Sequence, residues 1–77
     1  MTKIERAKAI ILEYAQSVHT FSHRQLFRDC HDKFFQAHVG RETVHGAMGE
    51  LIATDKKIFS LMEKNDKDEN LYGYWES

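Results

Sequence analysis

The sequence predicts an α+β, mainly helical domain in which three helices are closed by a C-terminal antiparallel β-hairpin. Three observations carry this. Two capping-box spacings, Thr2 with Glu5 and Ser22 with Gln25, each stand just ahead of an apolar helical stripe. Behind Gly40, the residues Val44, Ala47, Met48, Leu51 and Ile52 recur at the spacing that gathers one face of a third helix. The tail then changes period, with two short apolar and aromatic runs flanking a polar, turn-prone segment from Lys64 to Asn70.

The first helix is expected from about Lys3 to Ser17, with Ile4, Ala7, Ile11, Tyr14 or Ala15, and Val18 on its buried side. Ile10 lies off that stripe, and Lys3, Arg6, Glu13 and Gln16 make a solvated face. His19, Thr20 and Phe21 read as a short connection. Ser22 caps the second helix, Phe21 and Leu26 have the spacing of a hydrophobic staple, and Leu26, Phe27, Cys30 and Phe34 form the stripe. Phe35 falls away from that stripe, so the helix is expected to end near Lys33 and the chain to fold Phe35 back; the alternative is an aromatic exposed for a partner. Gly40 is an N-cap for the third helix, with Val39 and Val44 as its staple, and the pattern gives way at Asp55, Lys56 and Lys57. Strands are expected from Lys57 to Glu63 and from Leu71 to Glu76. The expected core is Ile11, Leu26, Phe27, Cys30, Val44, Met48, Leu51, Ile52, Ile58 and Trp75.

A chain of 77 residues is read as a single domain over residues 1–77, with a core small enough that help from a partner is expected. A homodimer is the expected form, with Tyr72, Tyr74 or Ile10 as its contacts, because both faces of the hairpin are partly apolar. Hydrophobic residues at 42% and charged residues at 30% describe an ordinary folded chain, and no apolar run reaches the length of a membrane span. The single cysteine, Cys30, excludes an internal disulfide and a cysteine-based zinc framework, which favours the cytoplasm. Net charge is −1, so any nucleic-acid binding must use local asymmetry.

The order helix, helix, helix, strand, loop, strand resembles the winged helix-turn-helix superfamily of small bacterial, phage and plasmid regulators. The resemblance is carried by Thr43-Val44, the apolar positions Met48, Leu51 and Ile52, a short polar turn, Ile58 opening the hairpin, and the aromatic closing strand from Leu71 to Trp75. Two departures stand out. The stretch from Leu26 to Val39 is longer than the family's tight turn, and Asp55, Lys56 and Lys57 occupy the place of its usual glycine before the hairpin. The resemblance implies a DNA-binding transcriptional regulator, with the third helix in the major groove of double-stranded DNA and the hairpin loop on the backbone.

On that reading Arg41, Thr43 and His45 contact bases or backbone, while Arg24, Arg28, Lys56, Lys64 and Lys67 anchor phosphates. Glu42 and Glu50 face the phosphates unfavourably unless they accept from cytosine N4 or pair with a local Arg. Gly46 and Gly49 each cost roughly 1 kcal/mol against alanine inside a helix, so they mark a close-approach face for another element of the fold, a phosphate backbone or a partner. The segment from Glu63 to Glu69 has net charge −2, which favours the alternative function: a protein-protein interaction module, inhibitor or adaptor, on the same fold. No catalytic motif is present, and no cofactor or metal is expected. His19, His23, His31, His38 and His45 have no diagnostic ligand spacing, and Asp66, Asp68 and Asn70 fail as a calcium loop because Leu71 stands where glycine is required.

Overall fold

A computed structural model describes residues 2–74. In chain order these form α1 (Lys3–Val18), β1 (Thr20–Ser22), α2 (His23–Asp29), α3 (His31–Gln36), α4 (Arg41–Ala53), β2 (Ile58–Lys64) and β3 (Asn70–Tyr74). The strands make one antiparallel sheet in the order β1-β3-β2. The described residues thus form an α+β domain, mainly helical, in which the expected two-stranded hairpin is widened by a third strand and the expected three helices have become four. No helix among them is long and apolar enough to cross a membrane.

The capping box at the start of α1 is complete: the Thr2 hydroxyl accepts from the Glu5 amide at 3.1 Å and the Glu5 carboxylate accepts from the Thr2 amide at 3.4 Å. Those hydrogen bonds hold Glu5 below its usual carboxylate range. Ala7, Ile11 and Ala15 are fully buried on one side of α1, which packs against α4. His19 ends the helix with φ 66°, a left-handed turn that redirects the chain at once into β1.

That redirection accounts for the unexpected strand. Residues 20–22 read as a connection because three residues are too few to show a period of two. In the fold, Phe21 pairs with Tyr72 across the ladder and is completely buried, and its ring meets Tyr14 edge-on at 5.6 Å. Ser22 both ends the strand and caps α2, its hydroxyl accepting from the Gln25 amide at 3.1 Å.

The second predicted helix is broken at Cys30, whose φ of −104° and ψ of 10° leave the helical basin. The break separates α2 from α3, and Leu26, Cys30 and Phe34 still reach the core, while Phe27 remains half-buried. α3 runs past Lys33 to Gln36 and leaves Phe35 76% exposed, so the expected fold-back does not occur. A Schellman motif closes α3: the Val39 amide donates to the Phe34 carbonyl, the His38 amide to the Phe35 carbonyl, and His38 takes the left-handed position at φ 57°. Buried Val39 and Phe34 supply the apolar contact that accompanies this cap. The extra length between Leu26 and Val39 is therefore an ordered helical turn.

α4 buries Val44, Ala47, Met48 and Leu51, with Ile52 only half-buried. Past its end, Lys56 adopts φ 53° where a glycine was expected, and the Lys57 amide reaches back to the Leu51 carbonyl at 2.9 Å. On α1, Lys8 clamps this corner by bridging Glu50 at 3.0 Å and Asp55 at 2.9 Å. Asp55 first and Glu50 second raise the Lys8 pKa. Ile58 then enters the core, and the ladder is interrupted between Ser60 and Lys64, where Met62 bulges out at φ 57° and 91% exposed. Trp75 and the end of the second predicted strand lie outside the described residues.

Leu51→Ala should cost about 2–5 kcal/mol, since its side chain is buried where α4 enters the core. Met62→Ala should be nearly neutral. Thermal unfolding of the two variants side by side checks both.

Candidate nucleic-acid interface

Two groups of sequence-predicted residues come together. The first forms because the Ser22 cap starts α2 beside the loop between β2 and β3. Arg24 and Arg28, one helical turn apart, line a cleft of about 230 Å³ with Lys67 from that loop, and Ser22, Gln25, Asn65, Asp66 and Glu69 complete its walls. Arg24 and Lys67 make no ion pair among the described residues. Arg28 touches Asp29 at 3.2 Å, and the Asp29 carboxylate also accepts a 2.6 Å bond from the Tyr14 hydroxyl. Tyr14 first and Arg28 second hold Asp29 low, while burial, then this bond, push Tyr14 up to about 12.

The loop is preorganised by one side chain. The Asn65 carboxamide oxygen accepts from the Lys67 amide at 2.9 Å and the Glu69 amide at 3.0 Å, and its nitrogen donates to the Glu69 carboxylate at 2.9 Å. Asp68 completes the turn at φ 62° and pairs with Lys64 at 3.3 Å. Lys64, expected as a phosphate anchor, is thus engaged within its own loop, and Lys67 is the loop cation at the cleft. Lys56 stands at the C-terminal end of α4, about 20 Å from Arg41 on helix rise alone. It belongs to neither group.

The second group lies where α2 crosses the N-terminal half of α4. The Arg41 guanidinium sits 5.3 Å over the Phe27 ring. The Phe27 and His45 rings are 5.3 Å apart, His45 meets His23 edge-on at 5.1 Å, and His23 stacks on Tyr72 at 4.8 Å. Nε2 of His23 is buried without a hydrogen-bond partner. Burial first, and the proximity of His45 second, lower the His23 pKa. Sequence reading named Arg41 and His45 here but missed His23 and Tyr72. The signal was the pair of four-residue spacings, His23 with Phe27 and Arg41 with His45, which places each pair on one helical face.

Thr43 is half-buried and less available than expected. Glu50, an expected obstacle to an anion, pairs with Lys8, which it shares with Asp55. Gly46 and Gly49 settle an open alternative: a Cβ built on either has no described atom within 4 Å outside its own helix backbone and chain neighbours. No described element packs there, and the bare strip faces outward. Tyr72, Tyr74 and Ile10, expected at a dimer contact, are half-buried against the chain's own core, with the Tyr74 hydroxyl accepting from Gln16 at 3.2 Å.

An apolar groove of about 230 Å³ adjoins the second group along α3 and shares Phe27 and Arg41 with it, its other lining residues being His31, Phe34, Phe35, Val39 and Val44. Among the described residues, no three His, Cys, Asp or Glu side chains gather as a metal site needs. Cys30 is buried, and burial raises its thiol pKa, away from the reactive thiolate. No family model, curated protein or solved structure matches the chain.

Two outcomes follow. Gly46→Ala and Gly49→Ala should each stabilise the free protein by up to about 1 kcal/mol, because neither glycine has positive φ and both have room, and a rise in melting temperature measures it. His23 should make stability pH-dependent. Its folded-state pKa is depressed, so its contribution is present above the ordinary histidine value of 6.5 and is lost as pH falls through the folded value. His23→Phe should flatten the fall in melting temperature that begins below pH 6.5.

Proposed function

We propose that this chain is a small DNA-binding regulator of the winged helix-turn-helix type, with α4 entering the major groove and the Asn65-centred loop resting on the adjoining backbone. The observation that carries the proposal is the convergence of Arg24, Arg28 and Lys67 on one cleft, from two elements far apart in sequence. A net charge of −1 does not by itself oppose this, because Arg24, Arg28 and Lys67 outnumber Asp66 and Glu69 in the cleft and other carboxylates have partners of their own. Glu50 and Asp55 hold Lys8, Asp68 holds Lys64, and Glu69 is bound by Asn65. The cations of the cleft can then act locally on phosphates within a screening length.

The remaining parts have matching roles. Arg41 and His45 lie at the N-terminal half of α4, where a recognition helix meets base edges, and Gly46 and Gly49 let a nucleic-acid backbone approach the helix closely. Double-stranded DNA is the ligand, bound by a homodimer whose contact is supplied by exposed apolar side chains such as Phe35.

The α3 groove favours a second reading, a protein-interaction module. Phe35 at its rim is 76% exposed, a large aromatic surface for so small a domain.

At low salt the protein should bind mixed-sequence duplex DNA. Arg24→Ala and Lys67→Ala should weaken binding to all duplexes alike, each reducing the slope of log affinity against log salt by about 1. Arg41→Ala should lose about 1–3 kcal/mol on a preferred sequence, with relaxed discrimination there. Fluorescence anisotropy across a salt series separates these effects. Absence of any low-salt binding leaves the interaction module.

A further inference from the structure

The histidines between α2 and α4 are not explained by packing alone. His45 is exposed on α4 and its ring lies against those of His23 and Phe27. The groups that face it are few. α2 supplies His23 and Phe27, β3 supplies Tyr72 behind His23, and α4 itself supplies Arg41 one turn earlier, stacked on the same Phe27 ring. Glu42, also on α4, makes no ion pair with His45, and no described carboxylate lies within ion-pair distance of His23, His45 or Arg41. Exposed Arg41 and His45 therefore border the same Phe27 ring without an ion pair among the described residues, and half-buried His23 lies beneath His45 with its Nε2 buried and without a partner.

Such a cluster is complementary to an anion, and more so once it gains a proton. We propose that Arg41, His45 and His23 form a proton-coupled phosphate site, in which a DNA backbone phosphodiester binds as the histidine pair takes up one proton. This rests on the DNA-binding reading. His45 is the exposed member of the pair and the one a phosphate can reach. His23 stays neutral beneath it, held by Tyr72, because a second charge 5.1 Å from the first in a half-buried position is unfavourable. Arg41 contributes a permanent charge, so binding persists at high pH. The bare backbone at Gly46 leaves space for the phosphate beside His45.

The sign of the pH effect is opposite for folding and for binding. Acid destabilises the free domain through His23, whereas the bound anion favours the protonated pair, so affinity rises as pH falls. Anisotropy titrations of a short mixed-sequence duplex at constant low salt, from pH 8 to pH 5.5, should show log affinity rising with a slope approaching one per pH unit through the histidine range, as uptake of one proton requires. Calorimetry in two buffers of different ionisation heat should report close to one proton taken up.

His45→Gln should abolish the slope, and the slope rather than the affinity at pH 8 is the readout. His31→Gln, which alters an exposed imidazole outside the cluster, should keep the slope. His23→Phe tests the pair from its buried side. It should retain the pH slope, because the phosphate is reached through His45. Duplex binding that weakens in Lys67→Ala but shows the same pH slope in wild type and His45→Gln would overturn the phosphate site and leave the DNA reading standing. No duplex binding at any pH would overturn both. Inorganic phosphate in place of the duplex separates a discrete anion pocket from a site that needs the polyanion. Saturation by millimolar phosphate with the same His45 dependence supports the pocket, and displacement of the duplex only in proportion to ionic strength counts against it.

Discussion

The packing of α4 against α1 is the contact on which the other elements depend. α1 presents Ala7, Ile11 and Ala15 and α4 presents Val44, Ala47, Met48 and Leu51, all buried, with alanines on both sides allowing the helices to approach closely. Once that stripe is committed, the opposite face of α4 is fixed outward, and so are Gly46 and Gly49. Lys8 locks the arrangement at one end by holding Glu50 and Asp55. The sheet closes the core through Phe21 and Ile58, both with no exposed area. A fold this small has little surplus stability, so loss of this one interface would threaten the whole of it.

The exposed glycines weaken α4. A helix interior with two glycines is weaker than the same helix with alanines, and the structure gives neither glycine a packing role among the described residues. They leave a bare strip beside His45 and Arg41 on the outer side of the helix. Nearly equal numbers of cations and anions are sorted so that Lys8 and Lys64 have internal partners, while Arg24, Arg41 and Lys67 have no ion pair among the described residues.

The positions where sequence and structure disagree share a cause. Phe21 looked like part of a linker, yet it is a central core residue, since a strand of three residues pairs only with a partner about fifty positions away. Cys30 sits in an unbroken helical stripe, and only its own backbone, which leaves the helical basin, shows that the stripe is carried by two helices. Phe35 was expected to fold back because an exposed aromatic is costly. The Schellman cap at His38 and Val39 instead extends α3 and leaves the ring outside. Lys56, His38 and His19 each occupy left-handed backbone where glycine would have been the sequence signal.

What the sequence determined by itself was local: the caps at Thr2, Ser22 and Gly40, the buried stripes of α1 and α4, the two staples, and the polar turn at 65–69. These depend on spacings of three and four residues, or of two, and so are visible in a single chain. The cations Arg24, Arg28, Arg41 and Lys67 were also legible as a set. Tertiary structure decided which of them meet. The cleft needs α2 beside a loop some forty residues later, and the aromatic column His45–His23–Tyr72 needs three elements brought together. No local period encodes those distances, because they are set by how the sheet and the α1–α4 pair share one small core.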